Sequence, residues 1–363
     1  MSNLEIKPIN EWGFNFKKPI VISGPCSCET EDQMMETAKR LGNQNIDVLR
    51  AGIWKPRTRP GMFEGIGTEG LAWLVAAAKE INKPTTVEVA TAQHVEDCLK
   101  AGVDILWLGA RTTVNPFSVQ EVADALKGVD IPVLVKNPIN PDLQLWMGAM
   151  ERLNKVGITR VGAIHRGFST YEKTKYRNKP MWELPVELKR LVPEISIIVD
   201  PSHICGNREL LGYVSQKALD LDFDGIMLES HRDPDNAWSD AAQQITPEQL
   251  GELVANLVVR HSKLDDYEED KLESLRANID RIDNYFLELM SERMDIARAI
   301  GQFKKDNGIT ILQTGRWDEI VNDRVKKGAK KELTEEFVKE MFEAVHQESI
   351  RNQTKIMNTI TAE

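Results

Sequence analysis

Eight short apolar runs, rich in β-branched residues, alternate with amphipathic stretches of helical period over the first 260 residues; the pattern beyond them is purely helical. These two observations predict an α/β chain, a (β/α)8 TIM barrel followed by an all-α helical domain. At 363 residues the chain also exceeds what one hydrophobic core usually serves. The expected divisions are a barrel over 1–260, a linker over 261–270 and a helical domain over 271–363.

The runs expected to form strands are residues 20–23, 48–51, 85–89, 105–108, 133–135, 160–164, 195–199 and 225–228. Active sites of such barrels sit at the carboxyl ends of the strands, so the residues closing each run are informative. In order, the runs are followed or closed by Gly24-Pro25-Cys26-Ser27; by Arg50 with Lys55-Pro56-Arg57-Thr58; by Glu88; by Gly109-Ala110-Arg111; by Lys136; by His165-Arg166-Gly167; by Asp200-Pro201-Ser202-His203; and by Glu229-Ser230-His231. A basic loop can be solvated surface, and an acidic residue after a strand can be a helix cap. Eight polar strand ends converging on one mouth predict a site instead.

Arg50, Lys55, Arg57, Arg111, Lys136 and Arg166 supply enough positive charge there for two anionic ligands, since guanidinium groups suit carboxylate and phosphate bidentately. Cys26, His203, Glu229 and Asp240 form a mixed set of metal donors, unlike the closed Cys/His sets of structural zinc and closer to a first-row divalent ion. The other reading is a buried thiol at Cys26 and a helix-capping Asp240.

A formal net charge of −10 argues against nucleic acid and anionic membranes as partners. No window is apolar for long enough to span a bilayer, and the first residues lack the apolar core of a signal peptide. Four scattered cysteines, Cys26, Cys28, Cys98 and Cys205, suit a reducing compartment, so a cytoplasmic location is expected. The first strand opens within about twenty residues of the start, which leaves no room for an amino-terminal regulatory domain.

Taken together, Gly24-Pro-Cys-Ser27, Lys55-Pro-Arg-Thr58, Gly109-Ala-Arg111, Lys136, Arg166-Gly167, Asp200-Pro-Ser-His203 and Ser239-Asp-Ala-Ala-Gln243 resemble the DAHP synthases. Those barrel enzymes condense phosphoenolpyruvate with erythrose 4-phosphate at the entry of the shikimate pathway. The resemblance implies that Cys26, His203, Glu229 and Asp240 bind a divalent metal ion, manganese in preference, with iron, cobalt or zinc admitted. It implies that Arg50, Lys55, Arg111, Lys136 and Arg166 hold phosphoenolpyruvate, Lys55 in a catalytic position, and that Arg57 and Thr58 take the sugar phosphate. The related octulosonate-phosphate synthases typically have Ala-Asn-Arg after the corresponding lysine, so Pro56-Arg57 favours the erythrose enzyme. Ser230 before His231 departs from the valine of many relatives and leaves the metal ligand intact.

In the helical segment, Leu275, Ile279, Ile282, Phe286, Leu289, Ile296 and Ile300 recur at steps of about three and four, predicting one long helix from about 271 to 305. Arg293 and Lys304, eleven residues and about three turns apart, are expected to break into that stripe on one side. Two aligned cations on a core stripe suggest a buried anion site.

Leu275-Arg276-Ala-Asn-Ile-Asp280, Glu292-Arg293-Met294, Ile300-Gly301-Gln-Phe-Lys304, Arg316, Ser349 and Gln353 resemble the all-helical chorismate mutases over nearly all of 268–357. The resemblance implies catalytic roles for Arg293, Lys304 and Gln353 and chorismate binding by Arg276, Arg316 and Ser349. Arg276 lies seventeen residues before Arg293, about 25 Å along a straight helix, so the two cannot share a pocket within one chain. An intertwined homodimer, or a higher homo-oligomer, is therefore expected. Trp317 stands where some relatives have glutamate, and Gln313 where some have aspartate.

The whole chain thus reads as a bifunctional transferase and isomerase of aromatic amino-acid biosynthesis, making DAHP and converting chorismate to prephenate. The alternative treats the helical domain as a module that senses chorismate or prephenate and exerts allosteric control over the barrel.

Overall fold

A computed structural model describes residues 4–56, 61–171, 174–260, 266–311 and 314–358. The chain divides into two compact units, Met1–Ser262 and Lys263–Glu363.

In the first unit, strands β1 (Ile20–Gly24), β2 (Val48–Ala51), β3 (Thr85–Val89), β4 (Ile105–Leu108), β5 (Val133–Lys136), β6 (Val161–His165), β7 (Ser196–Val199) and β8 (Gly225–Glu229) close into a barrel in chain order. Each pairs in parallel with its neighbours, β8 with β1 included. The predicted α/β barrel is present, with every strand within about one residue of its expected bounds. Parallel strands need a crossover between them, and here helices supply it. Several of those helices begin where Thr30, Thr91, Asn115, Asp142 and Thr246 accept a backbone N–H from two or three residues on.

Side chains alternate across each strand with a period of two, and this decides where the chemistry goes. Val21, Leu49, Leu106, Val135, Ala163, Ile197 and Leu228 face outward into the layer shared with the helices. Ile20, Ile22, Val48, Trp107, Leu134, Ile164, Ile198 and Met227 face the barrel interior. Two residues on from the innermost apolar row, the same inward-facing phase delivers Arg50, Lys136, Arg166, Asp200 and Glu229 to the carboxyl mouth.

The amino end of the barrel is closed by the segment before β1. Trp12 is buried against the interior apolar cluster, its indole donating to the Lys7 carbonyl oxygen (2.9 Å) while Arg160 Nη1 donates to the Trp12 carbonyl (2.7 Å). Its ring lies so close to β6 that a methyl at Gly162 would come within 3.1 Å of it.

Among the described residues, the second unit holds three helices, Asp266–Asp306, Thr314–Ala329 and Glu335–Asn358. The first and third pack along each other, with Ala297 buried and Gly301 so close to Gln353 that a methyl there would meet its Cα at 3.0 Å. The apolar row Leu275, Ile279, Ile282, Phe286, Leu289, Ile296 and Ile300 is exposed in the single chain. Arg293 and Lys304 follow Leu289 and Ile300 by four residues, about 40° around the helix, and so lie within the angular spread of that row. Both are half-buried, near the buried Ala297 and Gly301.

Because Trp12 fills the amino end of the barrel, Trp12→Ala should destabilise this unit by about 3–5 kcal/mol. Urea denaturation of the full chain measures this, and a loss under about 1 kcal/mol would show the plug to be dispensable.

Candidate functional site

At the barrel mouth, a cavity of about 300 Å³ is lined by Arg50, Lys55, Glu88, Arg111, Lys136, Arg166, Arg177, His203, Glu229 and Asp240, among others. Cys26 lies buried beneath it, its Sγ 2.5 Å from Lys55 Nζ. All four expected metal donors and five of the expected anion-binding cations therefore meet at one place. Arg57 and Thr58 lie outside the described residues.

Close backbone approaches bring the strand ends together. Gly24 has φ +153°, and a Cβ there would fall 1.9 Å from the Arg50 carbonyl oxygen. A Cβ at Gly109 would fall 2.1 Å from Glu88 Oε1, so the carboxylate occupies the space that a side chain at 109 would need. Glu88 is held there by the Trp107 indole N–H at 2.9 Å.

The buried cations are neutralised in pairs. Arg50 Nη1 donates to Glu229 Oε1 at 3.1 Å, and Lys136 Nζ lies 2.8 Å from Asp200 Oδ2. Both cations also lie over the Trp107 ring, at 5.1 and 5.7 Å from its centre. Arg166 Nη1 donates to Asn178 Oδ1 at 2.9 Å. Burial pushes the Arg166 guanidinium down to about 10; Asp200 opposes the fall, and Arg177 and Arg111 add to it. A site that disfavours its own positive charge in this way is poised to gain from an incoming anion. Arg111 is exposed at the rim.

The donor set divides into two pairs. Cys26 Sγ is 3.3 Å from Asp240 Oδ2, and His203 Nε2 is 3.9 Å from Glu229 Oε1. Separations of this order match the edges of a coordination shell built from bonds of about 2.0–2.3 Å. His203 Nδ1 lies 3.0 Å from Asp200 Oδ1, which selects the tautomer with the proton on Nδ1 and leaves the Nε2 lone pair facing Glu229. Burial lowers the His203 pKa despite Asp200 beside it, favouring the neutral imidazole that a metal requires. Burial opposes the charge on Asp200 and on Asp240. His203 and Lys136 outweigh it at Asp200, Lys55 and Arg177 at Asp240, and both carboxyls are held well below the usual carboxylate range.

Among the described residues, no three His, Cys, Asp or Glu side chains converge as a ready-made cluster. The Lys55 ammonium stands among them, bonded to the Cys26 sulfur and to the Cys26 carbonyl at 3.0 Å, and 3.8 Å from Asp240 Oδ2. Burial, and Glu229 after it, push the Cys26 thiol up to about 12. A thiol, an imidazole and two carboxylates at one barrel mouth fit a divalent ion by donor chemistry.

Sequence reasoning missed Arg177, Asn178 and Gln243 as site residues. Arg177 and Asn178 lie on the loop after β6, and Gln243 is in the segment after Asp240; side-chain hydrogen bonds to Asp240, Arg166 and Glu229 tie them in. His231, two residues past the end of β8, is buried with its Nε2 3.3 Å from Glu29 Oε2. Its Nδ1 accepts the Asp233 backbone N–H, so Nε2 carries the proton and donates to Glu29. His94 stacks on Trp54 with ring centres 3.9 Å apart.

In the helical unit, Arg293 Nη1 donates to Ser349 Oγ at 2.6 Å and Lys304 Nζ to the Ile311 carbonyl at 2.6 Å. Gln353 is buried nearby, one turn after Ser349, and its side-chain oxygen has no partner among the described residues. Burial, then the neighbouring Arg324, lower the pKa of Arg293. Arg276, 60% exposed, pairs with Glu273 and not with this cluster, across the span of helix that separates it from Arg293. The side chains of Arg316 and Trp317, and all of Gln313, lie outside the described residues. His346 is close enough to Arg293 for that charge, after burial, to lower its pKa.

Comparison with known proteins agrees with this architecture. The DAHP synthetase I family matches residues 15–264, and chorismate mutase type II matches residues 275–354. The phospho-2-dehydro-3-deoxyheptonate aldolase of Thermotoga maritima is 32% identical over 239 residues, covering 65% of this chain and 68% of that protein. The 2-dehydro-3-deoxyphosphooctonate aldolase of Paracidovorax citrulli is 24% identical, covering 67% and 90%. The crystal structure of the Thermotoga maritima DAHP synthase superposes with a TM-score of 0.62 at 31% identity, over 69% of this chain and 72% of that one. The DAHP synthase family is in general metal-dependent, and no helix among the described residues is long and apolar enough to cross a membrane. The chain therefore belongs to the DAHP synthetase I family, and it joins to that enzyme domain a second one, a chorismate mutase of type II.

Proposed function

We propose that the barrel condenses phosphoenolpyruvate with erythrose 4-phosphate to give DAHP and phosphate, and that the helical domain rearranges chorismate to prephenate. The observation that carries the first half is the gathering of Arg50, Lys55, Arg111, Lys136 and Arg166 around one cavity that also holds the Cys26, His203, Glu229 and Asp240 donors. Phosphoenolpyruvate brings a carboxylate and a phosphate, and five cations answer both. Arg57 and Thr58 take the phosphate of the sugar. Cys26, His203, Glu229 and Asp240 hold a divalent ion, manganese in preference, which when bound polarises the aldehyde that the enol carbon attacks. Burial of Arg50, Lys136 and Arg166 excludes bulk water around the reacting anion and strengthens their hold on it. Metal-stripped protein should consume no phosphoenolpyruvate on addition of erythrose 4-phosphate, and should do so once Mn²⁺ is restored. Absence of consumption in both states would reject the substrate assignment.

The second half is supported by Arg293, Lys304 and the unpartnered oxygen of Gln353 on adjoining helices. The rearrangement needs no nucleophile: holding the compact conformer and stabilising negative charge on the ether oxygen suffice. Arg293 meets one carboxylate, Lys304 and Gln353 meet the ether oxygen, and Arg316 and Ser349 complete the pocket. Arg276 reaches it from a second chain, and the exposed apolar row of the long helix would be covered in the same dimer. Mixing inactive Arg276→Ala and Arg293→Ala proteins should regenerate mutase activity, because a mixed dimer contains one intact site. Activity no higher than in the separate variants would reject a shared site.

A second reading, favoured by Trp317 and Gln313 at positions where some relatives carry acidic residues, makes the helical domain a chorismate- or prephenate-sensing regulator of the barrel. Under it, prephenate inhibits the full chain and not a chain ending at residue 261. Equal inhibition of both would reject the reading.

A further inference from the structure

Each carboxylate of the donor set has one oxygen held through Arg177, a residue outside the set; Glu229 Oε1 is also held by Arg50 Nη1 at 3.1 Å. Arg177 Nη1 donates to Asp240 Oδ1 at 3.0 Å and to Gln243 Oε1 at 2.8 Å. Because Gln243 spends its amide oxygen on Arg177, its amide nitrogen is left to donate to Glu229 Oε2, at 2.6 Å. The oxygens not used in these bonds are the ones that face the other donors: Asp240 Oδ2 toward Cys26 Sγ, and Glu229 Oε1 toward His203 Nε2.

Arg177 is itself built into place. Its backbone N–H donates to the Cys205 carbonyl, and that of Asn178 to the Ile204 carbonyl. Gly206, at φ +69°, leaves room for the arginine stem, since a Cβ there would sit 2.6 Å from Arg177 Cβ. The segment that carries the guanidinium is thus fixed to the short helix Pro201–Cys205, which also carries His203. An arginine suits this post because its planar Nη1 amino group carries two N–H donors in a fixed plane, one for each acceptor.

We propose that Arg177 is a positioning residue for the divalent ion, aiming Asp240 directly and Glu229 through Gln243. The inference rests on the metal reading of the Cys26, His203, Glu229 and Asp240 set and extends it to two residues that do not bind the ion. Groups that orient metal ligands typically contribute about 10–100-fold to metal affinity.

The test is equilibrium dialysis of Mn²⁺ against metal-stripped full-length protein, with phosphoenolpyruvate binding to the metal-free protein and the thermal midpoint as companion measurements. Arg177→Met and Gln243→Leu should each weaken Mn²⁺ binding by about 10–100-fold. The double variant should lose less than the product of the two, because they act as one hydrogen-bonded unit. Arg177→Lys, which keeps the charge and can hold Asp240, should fall between wild type and Arg177→Met. Its phosphoenolpyruvate binding and thermal midpoint should stay at wild-type values. Wild-type Mn²⁺ affinity in Arg177→Met would overturn the proposal, as would a parallel fall of Mn²⁺ affinity, phosphoenolpyruvate affinity and thermal midpoint in Arg177→Lys. A wild-type protein that binds no Mn²⁺ would instead overturn the metal reading itself, and the proposal with it.

Discussion

The barrel mouth depends on charge neutralisation in a place with little water. Arg50, Lys136, Asp200 and Glu229 are all buried, and an isolated ion in such a position would cost several kcal/mol. The pairs Arg50–Glu229 and Lys136–Asp200, with the Trp107 ring beneath both cations, let the inner strand ends carry ions where the rows below carry isoleucine, leucine and methionine. The same pairing holds each charge at a fixed point, so an anion entering the cavity meets donors already oriented. Neutralisation and preorganisation are here the same set of contacts.

This is also why so much of the barrel was legible in the sequence. A strand buried on both faces reads as a continuous apolar run, and a period of two carries its inward phase on to the residue just past its end. Arg50, Lys136, Asp200 and Glu229 announce themselves by breaking such a run where the strand ends. Arg177 and Gln243 give no comparable signal. They lie in irregular segments, and the bond from Arg177 to Asp240 closes a separation of 63 residues that no local pattern encodes.

The helical unit shows the limit of periodicity in another form. The long helix is expected from its three- and four-residue steps, and its extent, Asp266–Asp306, exceeds the expectation at both ends. Which part of the stripe packs within the chain was less legible, because Arg293 and Lys304 fall among its apolar residues on the same side of the helix. Within the chain, the face that meets the last helix carries Arg293, Ala297, Gly301 and Lys304, small residues and cations that let the backbones approach around a polar pocket. The bulky apolar residues of the stripe stay exposed in the single chain, so hydrophobicity alone does not mark the contact made within it.

The contact between Gly109 and Glu88 sets a rule for how this mouth can change over generations. The glutamate's carboxyl group fills the volume that a methyl at 109 would claim, so a larger residue there has to displace that carboxyl from the Trp107 indole or follow a shortening of the side chain at 88. A substitution just past β4 is thus felt first at the end of β3, twenty-one residues earlier in the chain.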